Sequence, residues 1–418
     1  MVAQAALSES PAEAAERTTM TFKTRVSVLL VSTPVLAFVL VGGVLGNASA
    51  GTDDETFRHL KVFRDVVSLV RSNYVEEVKV DKVMEGALRG MAEALDPDSA
   101  YLSPQEVQQI ESRAALPDGE LGIELTRQYY LRIIAARDGS PAALAGLQTG
   151  DYVRAIDGRS TRDLSVFEGT RLLRGAPGSK AVLTIIRGNA ADPHEVTLVR
   201  AARRTPSTTA KMIGADIGYI RIPAFTPNTA AELKQHAADL LRGGAKALLV
   251  DLRRTAEGNI DDGVAAARLF VASGTLVSKS GRAPEGQKEP IKEPISASAG
   301  DGSITLPVQL LVSAGTSGAA EVFAAALDGN NRADLIGEHT IGRAAEQKLV
   351  KLPEERGLWL THLRYYAPGG KLIHGAGLDP DVAVNEPDVE FGAKLPESDP
   401  LLDAAVQRVK SGTMLQGK

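Results

Sequence analysis

Residues 312–322, VSAGTSGAAEV, combine a turn of small residues, a serine and the start of an apolar helix. In hydrolases a strand-to-helix turn of this kind often carries a serine nucleophile, whose hydroxyl oxygen attacks a carbonyl carbon. Ser317 is therefore a candidate nucleophile. The competing interpretation, which we favour, is that Thr316 or Ser317 caps the helix that runs through Val322 and Leu327, because hydroxyl oxygens accept hydrogen bonds from the free amides of a helix N-terminus.

Other residue types that support chemistry are few. The chain of 418 residues has no cysteine, which excludes disulfides, thiolate metal sites and a cysteine nucleophile. None of its six histidines has the spacing of a metal-ligand motif such as HExxH, and we predict no metal and no cofactor. His339 is expected to have a surface or structural role. The net charge of −5 and the lack of a basic stripe argue against nucleic acid as a partner.

Residues 1–50 are predicted to be a signal peptide or a membrane anchor. After the basic flank FKTR, residues 26–46 form an apolar run about as long as the roughly 20 residues that span a bilayer. The sequence ASA at 48–50 is typical of a signal peptidase site. A buried core helix is the alternative, and Met20 is an alternative start. We therefore expect an exported protein, either periplasmic or anchored in the inner membrane and facing the periplasm.

Residues 51–116 have the pattern of a small helical segment. Apolar residues recur at helical spacing from Thr56 to Arg71, and a second helix of the same pattern follows. The sequence SPQE, which starts at Ser103, is a capping box with proline at the first helical position.

Residues 117–202 indicate a β-rich module. The sequences GELGIEL, YYLRIIAA and AVLTIIR have the composition of strands, and a polar helix is expected over 164–173. We find no internal repeat. This region is therefore predicted to be a separate domain from the helical segment before it.

Residues 203–390 indicate an α/β core, and residues 391–418 a helical tail. GYIRIPAF, KALLVDLR and PVQLLVSA are strand-like and are separated by amphipathic helices, which predicts parallel crossovers. The segment 285–303, rich in proline, glycine and charge, is predicted to be a loop. The serine-containing turn follows PVQLLVSA, at the carboxyl end of a strand, where open α/β sheets place their sites.

The order of these pieces resembles the bacterial carboxyl-terminal processing proteases, which are exported serine peptidases with a PDZ domain and a Ser/Lys catalytic pair. LDPDSAYLSPQE resembles the N-terminal helical signature of that family, with Asp98 where histidine is common. GIEL, GSPAALAGLQTGDYVRAIDG and LLRGAPGSKAVLTIIR resemble its PDZ domain. GYIRIPAFTPNTAAEL, ALLVDLR, GEHTIG, LRYYAPGG and GAGLDPDV resemble its catalytic core. The resemblance implies a helical N-terminal segment, a PDZ domain and an α/β core of this protease type.

A peptide-binding loop at Leu121, Gly122 and Ile123 is also implied by the resemblance. In a PDZ domain this loop offers backbone N–H groups to the C-terminal carboxylate of a peptide, and the peptide adds as an extra strand. The alternative is that GIEL only begins a strand and that Ile123 belongs to the core.

The resemblance further implies the positions of the catalytic pair. The nucleophile of the family lies three positions before the glutamate that begins the helix. Here that glutamate is Glu321, so the nucleophile position holds Gly318. The lysine base follows a glycine in the string that is GEHTIGRA here, so the base position holds Arg343. A glutamine four residues later is retained as Gln347 and is expected on the same strand face as Arg343.

Both replacements remove chemistry that a peptidase needs. Glycine has no atom that can attack a carbonyl, and arginine stays protonated and cannot act as the base. The oxyanion loop of the family, DLRxNxGG, is DLRRTAEGN here, with Glu257 at its first glycine and Gly258 at its second. A carboxylate there would oppose the stabilisation of an oxyanion. We hypothesise that Glu257 instead pairs with Arg343.

The sequence thus predicts a non-catalytic member of this family that binds C-terminal or extended peptides as a regulator or scaffold. An active protease of the same family is a further expected partner, and the membrane is contacted only through the N-terminal segment. The alternative is an active serine endopeptidase that processes protein C-termini with a displaced nucleophile such as Ser317. Ser317 is one residue before the nucleophile position, and one step along a helix turns a side chain by about 100°. The hydroxyl of Ser317 would therefore point in a different direction from that of the family nucleophile. A purely structural role is a third interpretation.

Overall fold

The computed structural model describes residues 55–113, 115–188, 192–283, 286–393 and 396–411. The predicted signal or anchor at 1–50 lies outside these ranges. Contacts divide the chain into two units, residues 1–86 and 87–418. In the first unit, helix α1 covers residues 55–73, as the apolar spacing predicts. Within the described ranges, no helix combines the length and apolarity that crossing a bilayer requires.

The helical segment continues with α2 (Val80–Glu93), which begins in the first unit and ends in the second. It is followed by β1 (Ala100–Leu102) and α3 (Pro104–Glu111). The predicted capping box is confirmed, because the Ser103 N–H donates to the Glu106 carboxylate at 2.8 Å and the Ser103 hydroxyl accepts from the Glu106 N–H. Strand β1 pairs antiparallel with a strand of the α/β core. That pairing fixes the turn just before β1 against the core.

The β-rich module consists of an antiparallel main sheet, a two-stranded sheet formed by its first and last strands, and two short helices. Its elements are β2 (Gly119–Glu120), β3 (Ile123–Gln128), β4 (Tyr130–Ala136), α4 (Pro141–Leu144), β5 (Tyr152–Ile156), β6 (Arg159–Ser160), α5 (Val166–Leu173), β7 (Lys180–Ile186), β8 (His194–Val199) and β9 (Ala201–Ala202). The main sheet has the order β3-β4-β5-β7-β8, so β3 is an edge strand. Alternate residues of β7 are buried, which is the pattern of a sheet that covers a core on one face.

The α/β core alternates strands and helices, as predicted. Its elements are β10 (Thr209–Ile213), β11 (Ile217–Arg221), α6 (Thr229–Arg242), β12 (Ala247–Asp251), α7 (Ile260–Ala267), β13 (Thr275–Gly281), β14 (Ile291–Ser296), β15 (Val308–Val312), α8 (Ala319–Gly329), β16 (Ala333–Gly337), β17 (Ala345–Lys351), β18 (Gly357–Tyr366), β19 (Val382–Ala383) and α9 (Pro400–Lys410). One sheet has the order β10-β11-β12-β15-β16-β19 and is parallel from β11 to β19. Strands β12 and β15 are buried at every position, as expected for a sheet covered on both faces.

A second sheet corrects one prediction. It has the order β1-β18-β13-β14, with β17 also paired to β18. Strand β14 lies within 285–303, so the prediction of a loop throughout that segment is wrong. The segment pairs antiparallel with β13 along one side only, and such an edge position tolerates Pro294 and exposed charges.

Helix α8 is buried in the core along all but its last two residues. Every residue from Ala319 to Leu327 is buried. Phe323 packs against Phe225 and Phe270, with ring centroids 5.6 and 5.7 Å apart. The turn that joins β15 to α8 is therefore fixed at both of its ends.

Candidate functional site

The turn between β15 and α8 has, at Gly318, a backbone conformation that glycine adopts freely and that would strain a residue with a side chain. This residue has φ 60° and ψ −114°, a combination that residues with a side chain rarely adopt. Sharp strand-to-helix turns of this kind present a nucleophile in hydrolases. Apart from its two neighbours in the chain, the atom closest to a Cβ on Gly318 would be the carbonyl oxygen of Arg343, at 4.0 Å. The turn therefore has room for a side chain at the predicted nucleophile position, and glycine supplies none.

The prediction that Thr316 or Ser317 caps α8 is wrong. The helix begins at Ala319, so the capping position falls on Gly318. The Thr316 hydroxyl donates to the Leu252 carbonyl at 2.9 Å and accepts from the Ser313 N–H at 3.0 Å. Ser317 is only 3% exposed. The two hydroxyl residues thus lie inside the turn and do not cap the helix.

Glu321 joins the two halves of the site. Its fully buried carboxylate accepts the Gly318 N–H at 3.0 Å and the Arg343 N–H at 2.7 Å on the same oxygen. The other oxygen accepts the Gly342 N–H at 2.6 Å and the Thr340 hydroxyl. Burial raises the pKa of Glu321, and these donors oppose the rise. The shared oxygen places the predicted nucleophile and base positions side by side.

Arg343 lies just before β17, not within it. The strand begins at Ala345, and a bulge between Glu346 and Gln347 interrupts its alternation. The prediction that Gln347 shares a strand face with Arg343 is therefore wrong. The Gln347 amide donates instead to the Thr361 hydroxyl at 3.3 Å.

The guanidinium of Arg343 bridges two distant parts of the chain. It forms a bidentate ion pair with Asp98. Its Nε lies 3.2 Å from one carboxylate oxygen, and its Nη2 donates to the other. Its Nη1 donates to the Leu125 carbonyl of β3 at 2.9 Å. Burial alone would lower the pKa of Arg343, but Asp98 raises it above its ordinary value. The hypothesis that Arg343 pairs with Glu257 is wrong, since Asp98 takes that role.

Glu257 faces the β-rich module. Its carboxylate accepts from Arg137 and Arg203, each at 2.8 Å. Burial alone would raise the pKa of Glu257, and the two arginines bring it below its ordinary value. The neighbouring Gly258 has φ 135°, and a Cβ there would lie 2.3 Å from the Phe225 carbonyl oxygen. Close packing therefore accounts for the retained glycine, and the side chain of Glu257 turns away from the base position.

Two titratable residues near the site escaped the sequence analysis. Burial raises the pKa of Glu124 on β3 to about 7; Glu257 adds to the rise and Arg343 opposes it. His374 is 6% exposed, and its Nδ1 has no hydrogen-bond partner among the described residues. Burial lowers the pKa of His374, and Asp98 opposes that change. No local motif marks these residues, because only the fold brings them near Arg343.

The predicted peptide-binding loop lies at the start of β3. Leu121 and Ile123 belong to the hydrophobic core of the β-rich module, so the side chain of Ile123 has the core position considered above. Gly122 has φ 72°, and its carbonyl accepts from the N–H of Arg137, the residue after β4, at 2.8 Å. Among the described residues, β3 pairs with β4 and with no other strand, which leaves its outer edge for another partner. Peptide binding at this loop remains a prediction.

Three family profiles match successive parts of the chain. Peptidase family S41 matches residues 216–384, the PDZ domain matches 132–187, and the N-terminal domain of the activating protease CtpB matches 45–106. The three regions correspond to the α/β core, the β-rich module and the helical segment.

Several known proteins are similar to this chain along most of their length. A carboxy-terminal-processing protease of Bartonella bacilliformis is 30% identical over 344 residues, which cover 81% of this chain and 78% of that protein. A carboxyl-terminal-processing protease of Synechocystis is 30% identical over 374 residues, covering 87% and 85%. The solved structure of a photosystem II D1 C-terminal processing protease has a TM-score of 0.63 and 25% identity, covering 77% of this chain and 92% of that one.

Proposed function

Since the chain belongs to the carboxy-terminal processing proteases of peptidase family S41, we propose that it is a non-catalytic member that binds C-terminal or extended peptides. In this proposal the protein acts outside the cytoplasm, as a regulator or scaffold for an active protease of the family or for a substrate. The proposal takes the fold from the matched family. It differs from the chemistry of that family because Gly318 and Arg343 hold the two predicted catalytic positions.

The observation that carries the proposal is the state of the two catalytic positions. Gly318 has the positive φ of a sharp strand-to-helix turn and no atom to attack a carbonyl. Arg343 is protonated in any protein setting and is ion-paired with Asp98. In a serine protease, loss of the nucleophile or base reduces turnover about a millionfold, or about 8 kcal/mol of barrier.

The position of Ser317 supports the same conclusion. Its side chain is buried in the turn, and its N–H donates to the Thr255 carbonyl at 3.0 Å. A nucleophile has to reach the carbonyl of a substrate in line, and a misplacement of about 1 Å can cost a hundredfold in rate. Ser317 would need the turn to rearrange before it could attack.

Peptide binding is supported by the PDZ match and by the outer edge of β3. An edge strand presents alternate N–H and C=O groups that a peptide can pair with as an added strand. The N–H groups around Gly122 would receive the C-terminal carboxylate. Export is supported by the apolar run at 26–46.

Cleavage of an unstructured protein by the full chain tests the proposal. The parent is expected to show no turnover. The variant Gly318→Ser/Arg343→Lys restores the family pair, but Asp98 would hold the new lysine in its charged form, so we expect little gain. Addition of Asp98→Asn removes that carboxylate, and the triple variant is expected to cleave at least about a hundredfold faster than the double variant, as proton transfer by a neutral base contributes.

Ser317→Ala in the parent is the matched control. It is expected to change nothing. Turnover by the parent that Ser317→Ala abolishes would establish a displaced nucleophile and refute the non-catalytic assignment. Binding of a peptide with a free C-terminus, and not of its amidated form, is the separate test of the PDZ role.

A further inference from the structure

Arg343 contacts the same strand edge that the proposed function assigns to peptides. Its Nη1 donates to the carbonyl of Leu125, in the middle of β3, at 2.9 Å. The other side of the guanidinium is fixed by Asp98, which lies two residues before β1 and is 7% exposed as a side chain. One side chain of the α/β core therefore links the helical segment to the β-rich module.

The Leu125 carbonyl belongs to the outer edge of β3. Successive backbone groups along a strand point to opposite sides, and the carbonyl of Gly122, just before β3, accepts from the Arg137 N–H, just after β4. The register shifts between Glu124 and Leu125, and Leu125 lies opposite Ile133. Ile133 directs its N–H and its C=O to Asp151 and Gly150, away from β3, so it does not pair with the backbone of Leu125. Ile123 and Leu125 therefore present their N–H and C=O groups outward. Leu125 accepts its hydrogen bond from a side chain that is not part of the sheet, which agrees with this direction.

We infer that Arg343 is a built-in competitor for the peptide site: its guanidinium occupies the Leu125 carbonyl that an added peptide strand has to use. The inference rests on the proposed peptide binding at β3. Arg343 then opposes peptide binding at β3, a role that a catalytic base does not have. Peptide binding breaks the hydrogen bond from Arg343 to Leu125. Because Arg343 also contacts Asp98 and lies beside Gly318, its release changes the surroundings of both residues.

The competition depends on the length of the peptide. A strand that adds to β3 with its carboxylate at Gly122 places its last residue beside Ile123 and the residue two positions earlier beside Leu125, because the ladder repeats every two residues. A dipeptide does not reach the Leu125 carbonyl. A peptide of three or more residues does, and it competes with Arg343.

The test compares the affinities of two probes for the full chain and its variants. The probes are the hexapeptide Ser-Gly-Ser-Gly-Ser-Val and the dipeptide Ser-Val, both with free carboxylates, measured by calorimetry and by competition. The main variant is Asp98→Asn/Arg343→Met, which removes both charges and so avoids a buried unpaired carboxylate. The matched control is Glu93→Gln/Arg127→Met, which removes another ion pair between the helical segment and β3.

We expect the main variant to bind the hexapeptide about tenfold more tightly than the parent, the effect of one charge-assisted hydrogen bond. Binding of the dipeptide is expected to change less than about twofold, and the control variant is expected to match the parent for both probes. Hexapeptide binding of equal strength in the parent and the main variant overturns the competition by Arg343 and leaves the proposed function standing. Failure of every variant to bind the hexapeptide overturns both.

Discussion

An active serine hydrolase combines a sharp turn at its nucleophile with a reactive side-chain atom on that residue. Gly318 has the first of these properties and lacks the second. The backbone turn is present, with φ 60° and ψ −114°, and the space for a side chain is present as well. The reactive atom is absent. At the predicted base position, Arg343 is ion-paired with Asp98, a position at which the resemblance implies histidine, so two expected departures from the family pattern contact each other.

Gly318→Ala is expected to destabilise the protein by about 1–3 kcal/mol. The new Cβ has room, so the cost is the strain of placing a residue with a side chain at this positive φ. The midpoint of urea unfolding, monitored by circular dichroism, measures the change.

Gly258→Ala provides the contrast at a second glycine with positive φ. Its Cβ would lie 2.3 Å from a backbone oxygen, so steric overlap adds to strain and the loss of stability should be distinctly larger. Equal losses for the two variants would contradict the account of Gly318 as strained but open.

At the scale of elements, β3 combines three roles within six residues. Ile123 and Leu125 place their side chains in the core, the outer backbone edge receives Arg343, and Glu124 lies between the β-rich module and the loop that carries Glu257. A change in the charge of Glu124 therefore acts at the boundary between module and core.

Glu124→Gln should make stability less dependent on pH. Because the pKa of Glu124 is raised from 4.5 to about 7, the folded protein binds this proton more tightly than the unfolded chain does. The contribution of Glu124 is complete below pH 4.5 and is lost as the pH rises to about 7. The variant should equal the parent near pH 4.5 and exceed it by at most about 3 kcal/mol above pH 7.

Urea unfolding of both proteins between pH 4.5 and 8 checks this expectation, with the difference between them as the quantity of interest. The other titrating groups are common to both and cancel in the difference. A difference that stays constant with pH, or that favours the parent at pH 8, would contradict the raised pKa of Glu124.

Elements marked by local signals were predicted well, and those that depend on distant partners were not. The capping box at Ser103 and the apolar runs of β12 and β15 depend on neighbouring residues, and the sequence contains them in full. Strand β14 has the composition of a loop and becomes a strand because β13 lies beside it. The N-cap of α8 is Gly318 and not the predicted Thr316 or Ser317. The carboxylate of Glu321, in the first turn of the helix, accepts the N–H of Gly318.

At the scale of the molecule, a cluster of charged side chains joins the β-rich module to the α/β core. Glu120, 4% exposed, accepts from Arg137 and Arg174. Arg137 also donates to Glu257 of the core, which accepts from Arg203 as well. Every ion pair in this cluster joins residues at least 17 positions apart in sequence. The partner of Glu257 therefore could not be predicted from its neighbours in the chain.

Arg137→Met should reduce the free energy of unfolding by about 3 kcal/mol or more. The change leaves two largely buried carboxylates with fewer partners, and an unpaired buried charge is costly. Hydrogen exchange should also rise in β3 and β4, since the module loses a tie to the core. Chemical denaturation and exchange mass spectrometry measure the two effects.

Arg159→Met is the comparison for that variant. Its ion pair with Glu168 lies at the surface, with the arginine side chain 57% exposed, and should contribute less than about 1 kcal/mol. If the two variants cost the same, the cluster does not connect the domains more strongly than an ordinary surface pair.

The bridge from Arg343 also sets an order of events during synthesis. Asp98 and Arg343 are separated by 245 residues, whereas the β-rich module ends near residue 202. Chains are synthesised from the N-terminus at about 5–20 residues per second, and domains fold as units, so β3 can form about 7–28 seconds before Arg343 exists. During that interval the nascent chain carries an uncovered strand edge, the feature through which chains mispair with one another. Arrival of residue 343 covers the Leu125 carbonyl on that edge.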